Sequence, residues 1–67
     1  MEELYQKLIQ VYGIVDDNIR MLEIISIGLG AEDEHRAVAL IDMQKRIEVE
    51  IRKDLQQILQ KMELKFL

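Results

Sequence analysis

Apolar residues in the first half of the chain recur at alternating intervals of four and three: Met1, Tyr5, Leu8, Tyr12, Val15, Ile19 and Leu22, continuing through Ser26 to Leu29. A helix completes a turn about every 3.6 residues, so this spacing collects them on one face as a heptad seam. Leu4, Val11 and Ile25 lie beside the seam and widen it to the stripe of a bundle helix. The pattern predicts a helix from about Glu2 to about Ile27. Gly28-Leu29-Gly30 follows, and glycine just past a helix end readily takes the left-handed conformation that closes it, so the chain is expected to turn at 28–30. Ala31-Glu32-Asp33-Glu34 then suits the first turn of a second helix, where free amides and the macrodipole favour negative charge.

In the second segment Ala37, Leu40, Ile41, Ile47, Ile51, Leu55, Ile58, Leu59, Met62 and Phe66 fall on one side at about 100° per residue. This predicts a helix from about 31 to 66. Acidic residues stand four before basic ones at Glu3 and Lys7, Asp16 and Arg20, Glu32 and Arg36, Asp42 and Arg46, and Glu48 and Arg52, the favourable order on exposed helix surface. Gly13 interrupts the first helix at a cost of about 1 kcal/mol and precedes Asp16-Asp17, a possible new cap. The seam passes through it without a phase shift, which favours one continuous helix over a break.

The expected fold is all-α, an antiparallel two-helix hairpin over 1–67 that dimerises into a four-helix bundle. Dimerisation enters through size. A 67-residue chain rarely buries enough apolar surface to fold alone, and with no cysteine it has neither disulfides nor thiolate metal sites. A turn near Leu29-Gly30 also makes the second helix the longer one. Met1 then lies beside Leu59, and Met62 and Phe66 project beyond the hairpin, to be covered by a second subunit or a partner. Gln44, in the middle of the second apolar stripe, is read as a register-setting polar residue. Ile9, Ile24 and Ile27 occupy the flank or back of the first helix with Gly13, whose missing side chain would let another backbone approach, and form a second candidate interface.

Candidate chemistry changes this picture little. Glu32 and His35 have the Glu-x-x-His spacing of di-iron bundles but point away from the apolar stripe, so a metal or cofactor is not expected. Ser26 is the only serine, threonine is absent, and no phosphate-binding loop, dinucleotide fingerprint or zinc spacing occurs, so the reading is not an enzyme. The net charge of −4 opposes nucleic-acid binding. No apolar run reaches the roughly 18–20 residues of a membrane span, and the start Met1-Glu2-Glu3 is acidic where a signal peptide is basic, so a cytoplasmic location is expected.

Leu29-Gly30-Ala31-Glu32-Asp33-Glu34 faintly resembles the acidic interhelical loop of small plasmid-encoded RNA-binding hairpins, which dimerise into four-helix bundles. That resemblance implies RNA binding by basic and aromatic residues along the first helix, where this chain offers Lys7 and Arg20 on different faces. No family is assigned from these residues. The expected function is a protein-protein interaction module, a small dimeric adaptor, chaperone or regulator that binds a partner helix; an RNA-binding hairpin dimer is the alternative.

Overall fold

A computed structural model of the chain describes residues 2–66, without the side chain of Phe66. It contains two helices, α1 (Glu2–Ala31) and α2 (His35–Phe66), packed against each other. The expected seam forms the inner face of α1: Tyr5, Leu8, Tyr12, Leu22, Ser26 and Leu29 are half-buried, and Val15 and Ile19 are buried. Met1, which would extend it, lies outside the described residues. Gly13 does not break α1.

The turn departs from expectation. Gly28 and Gly30 are helical, no glycine has positive φ, and the chain reverses at Glu32, Asp33 and Glu34. Extending α1 by four residues past Ile27 brings Leu29 onto the seam, which offsets the roughly 1 kcal/mol that each helical glycine costs. The left-handed residue is Asp33, with φ 61°. Around it, the Glu34 amide donates to the Leu29 carbonyl at 3.0 Å and the Asp33 amide to the Gly30 carbonyl at 3.2 Å. This is the paired closure that satisfies the last carbonyls of a helix, with aspartate where glycine is usual. Glu34 also starts α2, since its carbonyl accepts from Val38 at 3.0 Å. The acidic cluster is therefore the turn, and the first turn of α2 contains no acidic residue.

Four side-chain pairs across the hairpin share one register: Tyr5 with Glu63, Asp16 with Arg52, Glu23 with Lys45, and Ser26 with Asp42. In each, the residue numbers add to 68. A turn at 32–34 makes the helices nearly equal, at 30 and 32 residues, so the expected C-terminal overhang is absent. Met62 is only 8% exposed and is covered within the hairpin itself. The side chain of Phe66 lies outside the described residues.

Candidate interaction surface

The inner face of α2 is not the apolar stripe the sequence suggests. Residues that turn toward α1 follow Val38, Ile41, Lys45, Glu48, Arg52, Leu55, Leu59 and Met62, a heptad seam whose middle is polar. Those polar residues find partners. Arg52 donates from Nη1 to Asp16 Oδ1 at 2.6 Å, and Arg20 Nη2 lies 3.0 Å from Asp16 Oδ2, so one carboxylate answers two guanidiniums. Lys45 Nζ lies 3.4 Å from Glu23 Oε1, and the Ser26 hydroxyl donates to Asp42 Oδ1 at 3.1 Å. At the open end the Tyr5 hydroxyl donates to Glu63 Oε1 at 2.7 Å; this bond, with lesser contributions from desolvation and the carboxylate's charge, raises the phenol's pKa above its usual 10.0.

These contacts polarise the hairpin. Asp16, Arg20 and Glu23 each stand one residue after an α1 seam position, and Asp42 stands one after Ile41 on α2. Helices that run antiparallel turn to the same side when each is advanced by one residue, so these groups make one ion-paired side. One residue before the seams lies the opposite side. On α1 it reads Leu4, Lys7, Val11, Ile14, Asn18, Met21, Ile25 and Gly28; on α2, Ala37, Leu40, Gln44, Ile47, Ile51, Asp54, Ile58 and Lys61. The two stripes are neighbours, because Asn18, Met21 and Ile25 line a shallow groove together with Gln44.

Nine apolar side chains of this face, Leu4, Val11, Ile14, Met21, Ile25, Leu40, Ile47, Ile51 and Ile58, are between 42% and 67% exposed. At roughly 100 Å² apiece they present on the order of 900 Å², above the few hundred Å² usual on a monomer and near one partner's share of a specific interface. The whole chain points the same way. Its accessible surface is 5476 Å², whereas a compact protein of 7.9 kDa exposes about 4,400 Å².

The residues singled out from sequence divide. Gln44 lies on the apolar face between Leu40 and Ile47, exposed, with its amide donating to Glu48 Oε1 at 3.3 Å. Ile9, Gly13 and Ile27 hold the same register as Asp16 and Arg20, on the ion-paired side, while Ile24 lies on the outer back of α1. All four are exposed, but 18 residues of helix, about 27 Å, separate Ile9 from Ile27, so the structure does not gather them into one patch. Glu32 falls in the turn and His35 opens α2, which removes the shared helical face that a Glu-x-x-His ligand pair needs. Among the described residues, no group of three His, Asp or Glu is placed to hold a metal, and no helix is long and apolar enough to cross a membrane.

Ile14 and Met21, each 59% exposed, belong to the apolar face and are not among the residues singled out from sequence. A signal for them exists: the four-and-three spacing that defines the seam also runs one residue ahead of it, from Leu4 to Ile25. Comparison with known proteins finds no matching family model, curated protein or solved structure.

Proposed function

We propose that the chain is a non-enzymatic protein-protein interaction module whose working unit is a homodimer, in which two hairpins join their apolar faces in a four-helix bundle. As a small adaptor, chaperone or regulator, it then offers its outer helix surfaces to a partner helix. One observation carries this reading: a face with nine exposed large apolar side chains on one side of the hairpin, opposite a side laced with ion pairs. A hairpin that worked alone would leave that face in water, with only Val15, Ile19 and Met62, among the described residues, as its buried apolar core. Gln44, a polar residue within the face, serves to set the alignment of the two copies. RNA binding is less favoured, since Arg20, Lys45 and Arg52 are engaged with carboxylates and are poorly placed to follow a phosphate backbone.

Sedimentation equilibrium at micromolar concentration tests the dimer. We expect twice the 7.9 kDa chain mass. Ile47→Glu, in the face, should weaken association on the order of 100-fold or more, because it buries an unpaired charge. Ile24→Glu, on the outer back, should leave association unchanged. A cooperatively folded monomer, or equal effects of the two substitutions, would overturn the reading.

A further inference from the structure

The charges within the apolar face carry information about how two copies meet, and the inference drawn from them rests on the dimer proposed above. A two-fold axis can stack two such faces in two ways. With the axis along the helices, the turns lie at the same end, and every layer of the face meets its own copy. With the axis across the helices, the turns lie at opposite ends, α1 packs on α1, α2 packs on α2, and the layers meet in reverse order.

The register within the hairpin sets the layers. Lys7 lies across from Lys61, Ile14 from Asp54, Met21 from Ile47 and Gly28 from Leu40, following the same sum as the observed pairs. Between them come Val11 with Ile58, Asn18 with Ile51, and Ile25 with Gln44. In the same-end arrangement, Lys7, Lys61 and their copies place four ammonium groups in one layer, and Asp54 shares a layer with its copy. Like charges that close, in a partly desolvated interface, oppose association.

We propose that the turns lie at opposite ends. With the faces fully overlapped, the lysine layer then meets the layer of Ile25 and Gln44, whose amide oxygen can accept from Lys61 of the second copy. The layer of Asn18 and Ile51 meets that of Ile14 and Asp54, which brings an amide donor diagonally toward the carboxylate. Met21 and Ile47 meet Val11 and Ile58. No layer brings together like charges from the two copies, and the whole apolar face is covered.

The experiment is a distance measurement between turns. The chain has no cysteine, so Glu32→Cys, at an exposed turn position, accepts a single spin label per copy. Double electron-electron resonance should report about 45 Å or more between labels, the length of a helix of 30 residues. A distance under about 25 Å, near the combined width of two stacked hairpins, would overturn the opposite-end arrangement while leaving the dimer standing. Absence of intermolecular coupling at a concentration where the unlabelled chain sediments as a monomer would overturn both.

Discussion

Asp33 takes a backbone conformation that most side chains avoid, and it does so at the point where the hairpin reverses. Aspartate visits the left-handed region more readily than a branched residue, yet less readily than glycine. Asp33→Gly should therefore stabilise the folded chain by roughly 0.5–1 kcal/mol, raising the melting temperature by a few degrees at fixed protein concentration. Asp33→Ala should lower it, and equal melting of the two variants would count against the left-handed closure. Tyr5 gives a pH-dependent counterpart. Its phenol pKa is raised in the folded chain by the hydrogen bond to Glu63, so the stabilisation is fully present below the unfolded value near 10 and is lost as pH climbs through the higher folded value. Ultraviolet titration should find Tyr5 ionising above pH 10, and Glu63→Ala, which removes the hydrogen-bond acceptor together with its charge, should bring it down.

Among the elements, α1 was legible almost entirely, because one seam of apolar residues runs its length and that seam is the face it buries. Its end was not. Gly28 and Gly30 carry the sequence signal for termination, but each can remain helical, and packing of Leu29 keeps them so; the reversal falls to Asp33, which carries a weaker signal. The misplaced turn then displaced every cross-hairpin pairing and produced an overhang that does not exist. In α2 the difficulty was of another kind. Two heptad stripes run one residue apart, and the more apolar one, through Leu40, Ile47, Ile51 and Ile58, faces outward. Its neighbour buries Lys45, Glu48 and Arg52 partway, and only the complementary charges on α1 reveal that this stripe is the inner one. Gly13 tests whether α1 is continuous for its own sake. An added Cβ there meets nothing within 4 Å, so Gly13→Ala should raise stability by about 1 kcal/mol, measured by denaturant titration, without altering the hairpin. A loss of stability would mean that another backbone approaches that position.

At the scale of the whole molecule, the hairpin is a rod of 50 × 15 × 13 Å with a radius of gyration of 15.3 Å, against about 11 Å for a compact chain of this length. The elongated shape explains both the thin core and the excess surface, and it makes pairing of two copies the natural remedy. Its single register has a kinetic side as well. The four cross-hairpin pairs are nested around one turn, like brackets within brackets: Ser26 and Asp42 close a separation of 16 residues, Asp16 and Arg52 one of 36, Tyr5 and Glu63 one of 58. Loop-closure entropy makes the outermost pair dearer than the innermost by about 1 kcal/mol if formed alone, so the hairpin zips from the turn and frays from the open end. In a bundle with turns at opposite ends, the last part of each hairpin to form lies beside the first part of its partner, and each copy splints the end that the other is slowest to close.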